Sequence, residues 1–225
     1  MFSSISIARK LVESIPDFSI LHTAVLNSTR VVQFSDYLNA HKIKYYSNLG
    51  ALGIDGVVGT FIGEAAATEN LSYLLVGDCS FFYGMNGISI RGVRNNVRII
   101  LLNNGGGEEF KIKMDYPDME KYVCAAKKRY ARGWAEDCGF QYYLVNDYES
   151  LDKVLQLMKR TSDTPVFLEV DINMDVDSKV IRNIYSENRT KVYSTPGNGL
   201  KEVVKKALPD KYIDKAQKIY KIIKS

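Results

Sequence analysis

The chain has 225 residues, 46% of them hydrophobic, which is enough to close one large core or two small ones. Its longest apolar runs are far shorter than the roughly 20 residues of a membrane span, and its N-terminus lacks the basic start and apolar block of a secretory signal. The formal net charge is +4, and its basic excess lies in residues 201–224, where eight lysines accompany three acidic residues. We therefore expect a cytoplasmic protein with no membrane partner and no nucleic-acid partner, whose basic segment is a solvated helix face.

Helix-like and strand-like segments alternate along the chain, which predicts an α/β fold with three layers (α/β/α) and a mostly parallel sheet. Apolar residues at helical spacing indicate the helices, most clearly in residues 151–160, and short apolar runs indicate the strands. In chain order the pattern predicts a helix at 7–14, a strand at 20–25, a helix at 29–39, a strand at 44–46, a helix at 56–68, a strand at 73–76, a helix at 86–93, a strand at 98–102, a long polar helix at 118–138, a strand at 141–145, a helix at 151–160 and a strand at 166–170.

The pattern weakens after residue 171, so we expect the main domain to cover residues 1–171. Residues 172–198 are polar and include Pro196 and Gly197, which predicts an irregular connection. Residues 200–225 are predicted to form a basic helical tail, interrupted at Pro209.

Residues that commonly form disulfides or bind zinc are few. Cys79, Cys124 and Cys138 are odd in number and have no paired spacing, which argues against a disulfide framework and a zinc cluster. The two histidines, His22 and His41, are far apart in sequence, and we interpret them as structural.

Polar residues and glycines follow two successive predicted strands. Gly-Asp-Cys-Ser (77–80) closes one strand, and Asn-Asn-Gly-Gly-Gly (103–107) closes the next. Asp78 and Asn104 are 26 residues apart, about one strand–helix–strand crossover, so both can reach one point at the carboxyl edge of the sheet. Their oxygens suit Mg²⁺ bound to phosphate, and Ser80, expected at the head of a helix, suits the phosphate itself. Each segment taken alone is also a common turn sequence, and no GxxxxGK[ST] or GxGxxG motif is present.

The GDCS segment followed by the asparagine pair resembles the diphosphate-binding signature of thiamine diphosphate enzymes. Residues 1–171 resemble the C-terminal diphosphate-binding domain of that family. Within the family, the sequence SNLGALGIDG (47–56) is similar to the menaquinone-pathway synthase branch, MenD, and both NGGGEEF (104–110) and the Asn27-Ser28 pair extend the likeness. The resemblance implies the thiamine diphosphate-binding fold, with thiamine diphosphate and Mg²⁺ as cofactors.

The resemblance also implies roles for individual residues. Mg²⁺ would be bound by Asp78, Asn104 and the carbonyl of Gly106. The remaining cofactor contacts would come from the diphosphate-binding residues Gly77, Cys79 and Ser80, from the apolar support Ile54 that bends the cofactor, and from Ser28 and Gly50. Plainer interpretations stay open, since Ile54 is also a suitable core residue and Ser28 a suitable helix cap.

Four positions are implied to face the substrate: Gln33, Leu49, Glu109 and Phe110. The family has arginines where Leu49 stands and near Gln33, and arginine binds substrate carboxylates through paired hydrogen bonds. It has an apolar residue where Glu109 stands. These departures predict an acceptor other than isochorismate.

The activity implied by the resemblance is decarboxylation of a 2-oxo acid and transfer of the acyl anion to an acceptor. The activating glutamate is expected from a separate pyrimidine-binding domain or subunit, so no catalytic residue is expected in this chain, and a homodimer or larger assembly is implied. Two alternatives stay open. The chain is also compatible with the small subunit of a two-chain 2-oxo acid decarboxylase, or with a non-catalytic module that keeps the fold.

Overall fold

A computed structural model of the chain describes residues 1–35, 42–50, 53–114, 116 and 118–192. The chain divides into two compact units, Met1–Ile181 and Arg182–Ser225. The sheet belongs to the first unit, whereas the final helix, Met174–Val192, begins in the first unit and continues into the second.

The first unit is built on a six-stranded sheet in which every neighbouring pair is parallel. All six predicted strands are present, each within two residues of its expected bounds. The strands are β1 (Ile20–Thr23), β2 (Lys44–Ser47), β3 (Ser72–Gly77), β4 (Val97–Asn103), β5 (Gln141–Val145) and β6 (Val166–Asp171). Their order across the sheet is β2-β1-β3-β4-β6-β5, which places β3 and β4 side by side at its centre.

Helices cover both faces of the sheet, as an all-parallel sheet requires. They are α1 (Ser4–Ser14), α2 (Asn27–Gln33), α3 (Val57–Ala66), α4 (Asp78–Gly84), α5 (Glu108–Lys113), α6 (Met119–Tyr122), α7 (Arg132–Asp137), α8 (Tyr148–Met158) and α9 (Met174–Val192), with a 3₁₀ turn at Met85–Ile88. None of the helices in the described ranges is long and apolar enough to cross a membrane.

Alternation along β3 shows how the two layers of helices pack. Leu74 and Val76 lie in one buried cluster with Phe61 of α3 and Phe81 of α4. Tyr73 points to the opposite face, where its hydroxyl donates a hydrogen bond to the carbonyl of Met158 at the end of α8 (2.8 Å). Successive strand residues therefore anchor opposite layers, and the three-layer α/β/α prediction is confirmed.

The helix predicted at 86–93 is wrong in position. The helix after β3 begins at once, at Asp78, and ends in the 3₁₀ turn Met85–Ile88. The backbone N–H of Cys79 donates to the Asp78 carboxylate (2.8 Å), which satisfies a donor of the first turn without an intervening loop. Gly92, with φ of +90°, lies in the turn that follows.

The long helix predicted at 118–138 is also wrong, because the structure has only the short helices α6 and α7 there. Backbone groups that would pair with one another in a continuous helix instead form hydrogen bonds with residues of other segments. The N–H of Ala131 donates to the carboxylate of Glu169 (2.9 Å), and Ala125 has a positive φ of 49°. Local polarity was a poor guide to this segment because its partners lie on β6, at the end of β4 and in the glycine loop that follows β4.

The irregular connection expected after residue 171 is replaced by α9. Asn173 caps this helix, since its side-chain oxygen accepts from the N–H of Val176 (3.1 Å). Asp175 and Asp177 in the first turn suit the positive end of the helix dipole. The predicted tail at 200–225 lies outside the described residues, as do residues 36–39 of the helix expected at 29–39.

Candidate functional site

The two polar segments noted in the sequence meet at the carboxyl edge of the sheet. Gly77 of β3 pairs in register with Leu102 of β4, so Asp78 and Asn104 follow directly at the ends of two adjacent strands. A crevice at this edge is where open parallel sheets bind ligands.

Asp78 is a buried acid with little compensation. It is 5% exposed, and one carboxylate oxygen accepts from the N–H of Cys79 (2.8 Å). Burial raises the pKa of Asp78 to about 6, although the hydrogen bond from Cys79 and the charges of Lys128 and Arg129 act in the opposite direction. Within the described residues it makes no ion pair. A buried, unpaired carboxylate is a suitable ligand for a cation.

The glycine loop after β4 is shaped by close approach of the backbone. Gly105 has φ of +86°, and a Cβ added to Gly106 would lie 2.8 Å from the carbonyl oxygen of Cys124. The Gly106 carbonyl accepts from the N–H of Glu108 (3.0 Å) and retains a second lone pair for a ligand. Glycine is therefore required here by space.

Both ends of the Asn104 side chain are engaged. Its Nδ2 donates to Oε2 of Glu108 (2.9 Å), and its Oδ1 accepts from the N–H of Gly106 (3.2 Å). Asn104 thus sits between the loop backbone and a buried acid.

Glu108 itself is 3% exposed and lies beside Asp177. Burial raises its pKa to about 8, and the neighbouring charge of Asp177 adds to the rise. Burial also raises the pKa of Asp177.

The expected diphosphate contacts are only partly in place. Ser28 is buried, and its Oγ lies 3.9 Å from the position of a Cβ built on Gly77. Ser80 is buried in the first turn of α4 and does not head the helix, because α4 begins at Asp78. The N–H of Cys79, expected to bind diphosphate, is held by Asp78 in this state.

The residues expected to face the cofactor ring and the substrate are mostly exposed. Leu49 is 39% exposed, Ile54 40% and Phe110 42%, so Ile54 is not an ordinary core residue. Gln33 and Gly50 are also exposed. No described contact joins these two to Asp78 or Asn104, and residues 51 and 52 lie outside the described ranges.

Glu109 forms ion pairs with Arg30 of α2 and Lys113 of α5. Because α2 follows β1 and α5 follows β4, and β3 lies between those strands, the Arg30–Glu109 pair spans the carboxyl end of β3. The charge of Arg30 is therefore matched by a carboxylate of the same chain.

The donor set fits Mg²⁺ rather than zinc. No group of three or more His, Cys, Asp or Glu side chains that could hold a metal occurs among the described residues. The candidate set instead has one carboxylate, one amide oxygen and one backbone carbonyl, which are the hard oxygen ligands that Mg²⁺ takes together with phosphate. The burial of the Asp78 carboxyl group without an ion pair among the described residues is the observation that favours a cation here.

Sequence reasoning missed Asp177 and Lys128, and from the sequence alone Glu108 is interpreted as a solvated or substrate-facing carboxylate, whereas the structure buries it. Glu108 and Asp177 form a buried acidic pair, and Lys128 donates to the carbonyl of Asn103 (2.7 Å) and to Asp171 (2.6 Å). Asp177 and Lys128 lay in segments for which other structure was expected. Only the position of Glu108 directly after the glycine run was a usable signal.

His22 is a buried residue bound on both sides, as a structural histidine should be. Its Nδ1 lies 2.7 Å from Glu64 and its Nε2 lies 2.5 Å from the side-chain oxygen of Asn48. His41 lies outside the described residues.

No protein-family model matches the chain, but sequence relatives do. It is 35% identical over 196 residues to the 2-succinyl-5-enolpyruvyl-6-hydroxy-3-cyclohexene-1-carboxylate synthase of Bacteroides thetaiotaomicron, which covers 84% of this chain and 35% of that synthase. The synthase of the same name from Bacteroides fragilis is 34% identical over 83% of this chain and 34% of its own length. The chain spans about a third of the length of the curated relatives it matches.

Solved structures show the same fold. Benzoylformate decarboxylase from Polynucleobacter necessarius matches with a TM-score of 0.63 and 15% identity, covering 77% of this chain and 33% of that one. A putative thiamin diphosphate-dependent enzyme from Mycobacterium smegmatis matches with a TM-score of 0.59 and 19% identity, covering 76% of this chain and 32% of that one.

The chain shares the fold of these solved enzymes, one of them described as thiamin diphosphate-dependent, so the predicted resemblance to that class is confirmed. Within that class it is a homologue of the synthases named above, known as MenD, over about a third of their length.

Proposed function

We propose that the chain is the diphosphate- and Mg²⁺-binding domain of a MenD-like thiamine diphosphate enzyme. The observation that supports this most directly is the buried Asp78 carboxyl group, which makes no ion pair among the described residues, beside the Asn104–Gly106 loop at adjacent strand ends. When bound, thiamine diphosphate supplies carbanion stabilisation next to a carbonyl group.

In this proposal the residues of the chain bind and orient the cofactor and its metal ion. Asp78, Asn104 and the Gly106 carbonyl hold Mg²⁺, while Ser28 and Ser80 offer hydroxyl groups to the diphosphate. Ile54 and Phe110 present apolar surface to the organic part of the cofactor and its substrate, which helps to exclude water. The activating glutamate comes from a pyrimidine-binding domain or subunit, because none of the roles above supplies an acid at the cofactor ring.

The substrate chemistry proposed is decarboxylation of a 2-oxo acid and transfer of its acyl anion to an acceptor other than isochorismate. Leu49 and Gln33 offer no cation, and Arg30 is paired with Glu109. The crevice therefore lacks a free guanidinium at the positions that would bind a polycarboxylate acceptor.

Calorimetry with thiamine diphosphate and Mg²⁺ tests the cofactor site. Wild-type protein should bind, and Asp78→Ala should lose most of that binding. Asp163→Ala, an exposed aspartate before β6, is the matched control and should bind normally. Equal binding by wild type and Asp78→Ala would show that the site is assigned incorrectly.

Carbon dioxide release from 2-oxo acids tests the reaction. Release should require the complementary pyrimidine-binding half, supplied as a separate chain or a fused domain. Release by this chain alone would contradict the proposed source of the glutamate. Cofactor binding without release in the completed assembly would favour the non-catalytic alternative.

A further inference from the structure

The side-chain amide of Asn104 lies between a hydrogen-bond donor and a hydrogen-bond acceptor, so its oxygen and its nitrogen have different partners. The N–H of Gly106 can only donate, so it requires the oxygen of Asn104 on its side (3.2 Å). The other end of the amide meets Oε2 of Glu108, which accepts from Nδ2 (2.9 Å). Reversing the amide would place its NH₂ against the Gly106 N–H, so this pair of partners fixes one orientation.

Glu108 is held in turn by groups outside the loop. The hydroxyl of Ser178 in α9 lies 3.0 Å from its second oxygen. Asp177, the preceding residue of α9, is fully buried, and its Oδ2 has no hydrogen-bond partner within the described residues.

Asp177 is anchored to the first helix. Its Oδ1 accepts from the backbone N–H of Ser4 (2.8 Å) and from the Ser4 hydroxyl (3.0 Å). The Ser4 N–H is one of the unpaired donors at the start of α1, so Asp177 caps α1 from another element. Asp177 thus joins α9 to α1, and Ser178 beside it joins α9 to Glu108, which contacts Asn104.

We propose that Glu108 is a positioning residue that fixes the Asn104 side chain with its oxygen available to the metal. The proposal rests on the proposed function, because it assigns Asn104 as a Mg²⁺ ligand. Glu108 touches neither metal nor cofactor, and it acts only through Asn104. Groups that orient metal ligands in this way typically change metal affinity by about 10- to 100-fold when they are replaced.

Two replacements of Glu108 by neutral, unbranched residues distinguish its hydrogen bond to Asn104 from its packing. Glu108→Gln keeps an oxygen that can accept from Asn104, whereas Glu108→Met keeps the length and removes the acceptor. Ser178→Ala is the matched control, because it removes a similar contact on the other oxygen of Glu108 and leaves Asn104 untouched. Mg²⁺ affinity is measured on the full chain by calorimetry at saturating thiamine diphosphate, and thermal unfolding is measured without cofactor.

Glu108→Gln and Ser178→Ala should bind Mg²⁺ within about twofold of wild type, and Glu108→Met should bind about tenfold more weakly. If Glu108→Met does not fold, Glu108→Asp takes its place, since its side chain is one methylene too short to reach Asn104. Unchanged affinity in Glu108→Met, or in the folded substitute, overturns the proposal. An equal loss of Mg²⁺ affinity in Glu108→Gln and Glu108→Met also overturns the proposal, because the glutamine oxygen can still accept from Asn104 and should preserve binding. Absence of binding in wild type instead overturns the proposed function.

Discussion

At the scale of single residues, the edge of the sheet concentrates acids whose pKa values lie above their ordinary range. Asp78 and Glu108 are both buried, and burial is the main cause of each shift. Neither could be recognised from the sequence as a buried acid, because the GDCS and GGGEEF segments have the composition of exposed turns. The position of Asp78 and Asn104 at the ends of neighbouring strands was predictable from their spacing, whereas the burial of Glu108 depends on α9.

The raised pKa of Glu108 predicts a pH-dependent stability. Its carboxyl group is expected to ionise near its ordinary pKa of 4.5 in the unfolded chain and near 8 in the folded chain. Between those values the unfolded state binds fewer protons, so the free energy of unfolding falls as the pH rises. The glutamine of Glu108→Gln cannot ionise, so the free energy of unfolding of this variant should fall less steeply with pH than that of the wild type.

Urea denaturation at several pH values between about 5 and 8, without metal, measures this difference. Glu149→Gln, at an exposed position of α8, should keep the wild-type slope. Parallel slopes for Glu108→Gln and wild type would mean that Glu108 is ionised in the folded protein.

Gly106 offers a second test at this scale. A Cβ there would lie 2.8 Å from the Cys124 carbonyl and 3.1 Å from Cα of Ala126, so Gly106→Ala should lower the free energy of unfolding by about 1–3 kcal/mol. Gly133→Ala is the control, since nothing lies within 4 Å of its Cβ, and alanine should stabilise the exposed interior of α7 by about 0.5–1 kcal/mol. Urea denaturation measures the free energy of unfolding of both variants. An unchanged value for Gly106→Ala would show that the loop can move away from the added Cβ.

At the scale of elements, the strands and most amphipathic helices were predictable because their signal is local. The strand β4 contains the continuous apolar run 99–102, and α8 has apolar residues at helical spacing. The segment 118–138 and helix α9 were not predictable from pattern alone, because buried polar contacts replace the apolar periodicity there. Glu169 binds Asn103, Ala131 and Tyr142 from three different segments.

Arg98 shows how a polar residue can join two elements. It is fully buried on β4 and donates to the carbonyls of Met158 (3.1 Å) and Arg160 (2.6 Å) at the end of α8. Burial lowers its pKa. The carbonyl groups at the C-terminal end of α8 carry partial negative charge, and the planar guanidinium of Arg98 offers several N–H donors to them.

Arg98→Lys should therefore destabilise the fold, because one ammonium group cannot replace the separate donors of the guanidinium. We expect a loss of about 2–3 kcal/mol in the free energy of unfolding, measured by urea denaturation. Arg91→Lys, at an exposed position, should change it by less than about 0.5 kcal/mol. Similar values for the two variants would mean that the Arg98 hydrogen bonds contribute little.

At the scale of the whole molecule, the domain boundary expected from sequence and the compact unit of the structure differ in extent. The sequence pattern ends near residue 171, whereas the first compact unit runs from Met1 to Ile181. The additional residues include Asp177 and Ser178, which contact α1 and α5.

Two truncations test this extent. A chain ending at Ile181 should unfold cooperatively, since it keeps the contacts of Asp177 with Ser4. A chain ending at Asp171 should be destabilised by about 1–3 kcal/mol or more, because the buried polar groups of Ser4 and Glu108 lose their partners. Circular dichroism during thermal unfolding compares the two, and equal midpoints would show that residues 172–181 are dispensable.

The hydrogen bond between Ser4 and Asp177 joins residues 173 positions apart, so during translation α1, with its local cap Ser3, is made long before this second contact can form. A nascent chain released from the ribosome only as far as β6 already contains Asp78, Asn104 and the glycine loop, yet it lacks Ser178, whose hydroxyl donates to Glu108. Domains form as units once their last element has emerged. The buried polar contacts that α9 makes with α1 and α5 can therefore form only after the ribosome has passed residue 178, so the last described helix completes packing that begins with the first.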